Sequence, residues 1–292
     1  MSPKSTAAVA IGVGLIAGLA LAPFIAPRLN GRYDALAAPL RARLGPGDPL
    51  KVFYGPRGYR PLWIVHGRVD PAAPRLIAAL RTAGADNLDA DAYDPSELQA
   101  ALGLAKRDPA ARARAEIALS RAYAAYVIDL HHPAEGAGFA FVDPSVRMPP
   151  SDPAEALRRA AAAPSLTQAL AQARRMNPLY ERLRAAFAAW RSRGPRESRL
   201  LAVNLERARA LPPDLGARFV LVNAAAERLW FYDDRRQRGS MRVVVGARDN
   251  PTPQMIGAIR YALFNPSWNV PPDLVRDDIA PAVLRRGPAY LR

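Results

Sequence analysis

The sequence predicts an α+β protein with an all-helical region ahead of a β-rich one. Asp-Pro and Asn-Pro steps recur between residues 70 and 178, and apolar residues there repeat at helical spacing. From residue 219 onward the apolar residues alternate instead, which is typical of strands. We predict these segments in the 292-residue chain: an apolar membrane segment at 1–27, a linker at 28–48, a helical domain at 49–193, a joint helix at 194–216 and an incomplete β-rich domain at 217–292.

The chain begins with a segment suited to a membrane. Residues 7–26 are apolar and uncharged, and a helix of that length can span the hydrocarbon core. We expect an uncleaved signal anchor in the inner membrane, with the remaining residues exported to the periplasm. A cleaved signal peptide is the second alternative, although Pro23 directly after Ala22 disfavours cleavage. A buried core helix is the third alternative.

The helical domain is predicted from repeated start signals. A capping side chain precedes a proline at five places: Asp70, Asp94, Asp108, Asp152 and Asn177. The side-chain oxygen can accept a bond from a free backbone amide, and proline at the first helical position has no amide to leave unpaired. Glu97 and Glu155 stand where a capping box needs them. Apolar stripes predict the buried faces: Leu76, Ile77 and Leu80; Ile117, Leu119, Tyr123, Tyr126, Val127 and Leu130; Tyr180, Leu183, Phe187 and Trp190.

The β-rich region follows a break and one further helix. Gly194 and Pro195 lie in a charged break at residues 191–199, and a helix is predicted from Leu200 to Leu211. Alternating apolar residues then predict four strands: 219–223, 228–232, 241–245 and 256–264. The polar residues 233–239 are predicted to form the turn between the second and third strands.

Charge and composition exclude several classes of function. The formal net charge is +15, and only three of the 41 basic residues are lysine. Because the arginines are scattered along helices and not clustered with aromatic residues, we do not expect nucleic acid as a partner. The basic surface suits an anionic envelope polymer or membrane face better. Without cysteine there can be no disulfide, thiolate or cysteine metal site within these residues, and we expect no metal and no cofactor.

Paired histidines and acids are interpreted as structural. His131 and His132 end a predicted helix, where a histidine usually caps carbonyl groups or faces solvent. Asp233 and Asp234 lie in the predicted turn, and the pair at 277–278 lies near the start of a short helix. Turn and cap roles are therefore expected for these carboxylates in place of glycosidase chemistry.

Five segments follow Phe219 in order: VLVNAAAERLWFYDD, SMRVVVG, Thr252-Pro253, FNPSWNVPPDL and DDIAP. In these segments the chain resembles the catalytic domain of L,D-transpeptidases of the YkuD type. In the helical region, GYRPLW at 58–63 and GADNLDADAYD at 84–94 resemble the scaffold domain of the large periplasmic members. The resemblance covers about residues 49–292 and implies an enzyme that cross-links peptidoglycan stem peptides.

The resemblance also implies chemistry for which these residues lack the nucleophile. In the family a cysteine thiolate, assisted by a histidine, attacks the stem peptide and forms a thioester, which an amine of a second stem resolves. This sequence has no cysteine, and its histidines all lie in the helical region. No catalytic residue can be assigned. We expect a chain truncated before the catalytic His/Cys segment and inactive as given.

The resemblance implies a substrate groove near the proline-rich stretch at 264–272. Asn265, Trp268 and Asn269 are the candidate groove residues, with Trp268 either lining the groove or packing the β-rich domain. Peptidoglycan stem peptides are the expected partner. A non-catalytic envelope scaffold or peptidoglycan-binding protein is the alternative function.

Overall fold

The computed structural model describes residues 35–133, 140–143, 152–249, 251–265, 267 and 269–291. The predicted membrane segment at 7–26 lies outside these residues. Within the described ranges no helix is long and apolar enough to cross a membrane. The helices are α1 (Ala37–Arg43), α2 (Lys51–Tyr54), α3 (Ala72–Arg81), α4 (Pro95–Leu104), α5 (Pro109–His131), α6 (Pro153–Ala162), α7 (Leu166–Ala173), α8 (Pro178–Trp190), α9 (Pro195–Arg209), α10 (Pro272–Leu274) and α11 (Ala280–Arg286). The strands are β1 (Ile64–Val65), β2 (Arg68–Val69), β3 (Ala140–Phe141), β4 (Phe219–Asn223), β5 (Arg228–Asp233), β6 (Arg236–Arg242) and β7 (Met255–Ile256).

Three of the five predicted helix caps are confirmed. Asp108 accepts a hydrogen bond from the amide of Ala111, Asp152 accepts from two amides of α6, and Asn177 accepts from the amide of Tyr180. Asp70 bonds one amide, but α3 begins two residues after it, and Asp94 makes no cap bond. The predicted capping boxes do not form: α4 has no side-chain cap bond, and the Glu155 carboxylate in α6 pairs with Arg158 and Arg159.

Helices α1 to α9 share one apolar core built around α5. Its stripe is buried as predicted, from Ile117 to Leu130, and the stripe of α3 packs beside it. Helix α1 lies within the predicted linker and adds Leu36, Leu40 and Leu44 to this core. The prediction for α8 is partly wrong, because Tyr180 and Phe187 are buried while Trp190 is 46% exposed at the last turn of the helix.

The helical region was predicted to contain only helices, but it also contains short strands. Strands β1 and β2 form an antiparallel hairpin in which Ile64 pairs with Val69. The two residues between the strands, His66 and Gly67, have positive φ values of 50° and 75°. A two-residue loop of this kind matches the twist of paired strands. Helix α9 also begins earlier than predicted, at Pro195, because proline at the first position starts the helix directly after Gly194.

The β-rich region contains a three-stranded antiparallel sheet in the order β4-β5-β6. The predicted third strand and turn are wrong: the turn is only Asp234 and Arg235, with φ values of 50° and 59°, and β6 begins at Arg236. The sequence of β6, RQRGSMR, is polar and mostly exposed. Apolar alternation therefore could not reveal it, whereas the tight turn places it beside β5.

The predicted fourth strand is largely absent. Only Met255 and Ile256 pair, and their partner is β3 of the helical region, in a parallel arrangement. Residues 257–263 are described without regular structure, and the alternating side chains of Ile259, Tyr261 and Leu263 are 78%, 77% and 72% exposed. Apolar alternation predicts a strand, but a strand needs a hydrogen-bonded neighbour, and among the described residues none lies beside this segment.

Candidate functional site

A cleft of about 2250 Å³ separates the helices from the β4-β5-β6 sheet. One wall is the antiparallel pair of α8 and α9, and each helix presents one face. Leu179, Arg182 and Leu183 lie on the cleft face of α8, and Asn204 and Arg207 lie on that of α9. Residues three and four positions apart share a helix face, so this wall follows directly from helical periodicity.

The floor of the cleft is formed by α5, α6 and α7. Helices α6 and α7 contribute mainly alanine, whose small side chain leaves space above the backbone. His131, at the end of α5, is 6% exposed, and its ring Nε2–H donates to the carbonyl of Ala173 at 2.7 Å. Burial lowers the pKa of His131, so the ring is neutral near pH 7. His131 therefore caps a carbonyl, but one of a neighbouring helix, and does not face solvent.

The opposite wall is the sheet. Phe219 and Tyr232 are directly paired across β4 and β5, and their rings stack with centroids 4.2 Å apart. Leu221 and Trp230 form the next pair on the same face. All four side chains line the cleft and are half-buried. The sheet thus offers an aromatic and aliphatic surface toward the helices.

Some of the arginines at the cleft are in ion pairs, and others have no described partner. Arg159 is paired with Glu155 at 2.8 Å, and Arg218 is paired with Asp233 at 3.0 Å. Arg182 and Arg207 are exposed on the helical wall. Their guanidinium groups have no hydrogen-bonding or ion-pair partner within the part of the chain that the structure describes.

A buried polar network fixes the end of α9 against the helical domain. Arg209 is 2% exposed; its guanidinium donates to the backbone carbonyl of Asp86 and pairs with Glu206 at 2.6 Å. The Asp86 carboxylate accepts from the Tyr180 hydroxyl at 3.0 Å and forms an ion pair with Arg184 at 2.7 Å. These contacts join the joint helix to α8 and to the turn after α3. The helical wall of the cleft is therefore held in place from behind.

The two regions also meet through a strand pair. Strand β3 of the helical region pairs with β7, and directly after them Arg260 forms a bidentate ion pair with Asp143. The closest N–O distance in this pair is 3.0 Å, and the Asp143 side chain is 10% exposed. A forked guanidinium–carboxylate contact restricts relative orientation as well as distance. It orients the segment at 257–260 at one side of the cleft.

The most buried carboxylate in the described residues, Glu116, is structural. It is fully buried and accepts from the amides of Leu62, Trp63 and Ile64 and from the Tyr54 hydroxyl, at 2.5–2.9 Å. Burial raises its pKa, while these four donors act in the opposite direction. These four donors are all bonded to Glu116, and solvent is excluded. Glu116 therefore fixes residues 62–64 at the start of β1, and no substrate can reach its carboxylate.

The sequence-predicted groove residues stay predictions. Asn265 is exposed with a positive φ of 49°, and Asn269 is also exposed; neither lines the cleft. Trp268 lies outside the described residues. Arg182 and Arg207 were not predicted as site residues, because both are exposed and no local pattern in the sequence sets them apart from the other arginines of α8 and α9. No cluster of three or more His, Asp or Glu side chains suited to a metal is present among the described residues.

Comparison with known proteins divides the chain in the same order. Residues 48–187 match the Scaffold domain, and residues 217–290 match the L,D-transpeptidase catalytic domain. A Haemophilus influenzae protein named "Putative L,D-transpeptidase" is 31% identical over 91 residues. That alignment covers 31% of this chain and 18% of the relative, so the chain spans under a fifth of that protein's length.

Proposed function

This chain belongs to the L,D-transpeptidase family, and from that premise we propose that it takes part in cross-linking the stem peptides of peptidoglycan. The observation that carries the proposal is the succession of a scaffold domain and a catalytic-domain segment in one chain. The helical region and the sheet then have separate roles. The first is a rigid support, and the second carries part of a substrate-binding surface.

The reaction of the family is an acyl transfer, and its nucleophile is not among these residues. A thiolate must attack the stem peptide, backbone donors must stabilise the oxyanion, and a histidine must take the proton of the thiol. The 292 residues hold no cysteine, and the His131 ring in the cleft floor is buried and donates to the carbonyl of Ala173. We therefore assign no catalytic residue, and under this proposal the thiolate and its histidine lie outside these residues.

Asn265, Trp268 and Asn269 remain the proposed wall of the substrate groove in this account. Two observations support the assignment for the asparagines: both side chains are exposed, and amide groups can both donate and accept hydrogen bonds with a peptide. We place the protein in the periplasm, held at the inner membrane by residues 7–26. Peptidoglycan lies in the same compartment, so this location brings the groove to its substrate.

A non-catalytic envelope protein that binds peptidoglycan is the second candidate. The lack of cysteine favours it, and so do two cleft arginines that have no partner in the part of the chain the structure describes, since binding needs charge complementarity and no nucleophile. Sedimentation with purified sacculi separates simple binding from no interaction. Retention at low salt that weakens as salt rises would support a charged contact with the wall polymer. No retention at low salt would eliminate this candidate.

The purified chain should not react with a carbapenem. Carbapenems acylate the family's cysteine, and without a thiol no stable thioester can form on this chain. Intact-mass spectrometry after incubation should therefore show the unmodified mass, while a cysteine-containing L,D-transpeptidase treated in parallel gains the mass of the drug. A stoichiometric adduct on this chain would contradict the assignment of the nucleophile to other residues.

A further inference from the structure

The cleft between the helices and the sheet has the dimensions of a polymer site. Its volume of about 2250 Å³ exceeds the ~300–1,000 Å³ typical of small-molecule pockets. One wall carries the stacked pair Phe219 and Tyr232, and the other carries Arg182 and Arg207, whose guanidinium groups have no partner among the described residues. An apolar wall that faces fixed positive charge suits a polymeric ligand with both apolar and anionic groups.

The two arginines are close enough to act on one ligand. Asn177, at the start of α8, donates from its side-chain amide to the carbonyl of Ala208 at 2.9 Å, so the start of α8 adjoins the end of α9. Arg207 is the residue directly before Ala208 in α9. Arg182 lies five residues after Asn177, which is a rise of about 7.5 Å along α8. An extended peptide advances about 3.3 Å per residue. Two to three residues of a bound peptide would therefore span both guanidinium groups.

The local charges select a carboxylate-bearing ligand. The acidic residues of the cleft lining, Asp214 and Asp233, are already paired with Arg235 and Arg218. Arg182 and Arg207 have no partner within the described ranges, and a guanidinium fork binds a planar carboxylate through two parallel hydrogen bonds. An uncharged glycan would leave these cations unmatched, whereas a peptide with free carboxylates would pair with them.

We propose that this cleft binds a peptide with free carboxylates, held by Arg182 and Arg207 on its helical wall. Under the proposed function, on which this identification rests, the peptide is a peptidoglycan stem. The scaffold domain then contributes a substrate contact of its own, separate from the groove predicted at 265–269. The site orders the stem by its carboxylates and packs its apolar side chains against the sheet.

The test compares two double variants of the full 292-residue chain by fluorescence anisotropy. Arg182→Gln with Arg207→Gln removes the cleft cations. Arg81→Gln with Arg107→Gln removes two exposed arginines that lie away from the cleft and have no side-chain partner within the described ranges. The probes are a labelled stem tetrapeptide with free carboxylates and the same peptide with its carboxylates amidated. Both variants should keep the thermal unfolding midpoint of the parent chain, since only exposed side chains change.

We expect the cleft variant to bind the acidic peptide at least about tenfold more weakly, and the control variant to stay within about twofold of the parent. The amidated peptide should bind the parent as weakly as the acidic peptide binds the cleft variant. The proposed site would be overturned if the two variants lost equal affinity for the acidic peptide, or if the acidic and amidated peptides bound the parent chain equally well. It would also be overturned if an oligonucleotide or anionic vesicles competed for the cleft as well as the acidic peptide does. No binding of the acidic peptide would overturn it as well. None of these results bears on whether the protein supports cross-linking in cells, which is measured separately.

Discussion

Replacing Glu116 by alanine should bring the helical domain close to global unfolding. The change leaves the amides of Leu62, Trp63 and Ile64 and the hydroxyl of Tyr54 without their acceptor in a buried site. Each of the three buried amides left unpaired costs about 1–3 kcal/mol, so the summed loss is about 3 kcal/mol or more, while the Tyr54 hydroxyl can still bond Ser120. A domain of this kind is stable by about 5–15 kcal/mol in total. Urea unfolding followed by circular dichroism measures the loss.

Two matched variants show whether the effect comes from the buried acceptor. Glu116→Gln keeps one acceptor oxygen and should cost about half as much as alanine, because some donors remain paired. Glu97→Ala removes an exposed carboxylate of α4 and should change stability by about 0.5 kcal/mol or less. If Glu116→Ala and Glu97→Ala unfold at the same urea concentration, the carboxylate does not hold the 62–64 segment as described.

Arg209→Met should release the joint helix from the helical domain. The substitution removes the cation that bonds the carbonyl of Asp86 and pairs with Glu206, in a position where the arginine is 2% exposed. Breaking a buried charged contact on one side costs about 3 kcal/mol. Methionine fills most of the volume, so the loss reports the polar contacts more than a cavity. Hydrogen exchange should increase mainly in α9 and in the turn at 83–86.

The control for this prediction lies on the same helix. Arg199 is exposed on α9 and has no side-chain partner among the residues described, so Arg199→Met should leave exchange in α9 unchanged. Helix α9 forms the wall that carries Arg207, and loosening it should also weaken peptide binding in the cleft. Uniformly faster exchange over the whole helical domain after Arg209→Met would mean that the arginine stabilises the core in general and not this junction.

Local signals predicted much of the helical region because its determinants lie close together in the sequence. The caps at Asp108, Asp152 and Asn177 bond amides two or three residues away. The buried stripe of α5 follows from the spacing of its apolar residues. Asp94 failed as a cap because its backbone, directly after the 3₁₀ turn Asp91–Tyr93, adopts a left-handed conformation, φ 48°, which the Asp-Pro pair does not reveal.

Features that depend on distant pairing were not predictable in the same way. Strand β6 is polar and forms because a two-residue turn places it against β5. Strand β7 pairs with β3, which lies more than a hundred residues earlier in the chain. The bond of Arg209 to Asp86 spans 123 residues, and no local pattern indicates it. The cleft arises from the packing of helices against the sheet, and for that reason its arginines emerge only from the structure.

Muropeptide analysis can show whether this protein serves peptidoglycan cross-linking. The gene would be removed from its host in a background that lacks other L,D-transpeptidases, and the wall would be digested and separated by chromatography with mass spectrometry. We predict that the fraction of L,D-cross-linked dimers falls and that restoring the gene recovers it. An unchanged fraction of these dimers after removal and restoration would mean that the protein does not serve cross-linking.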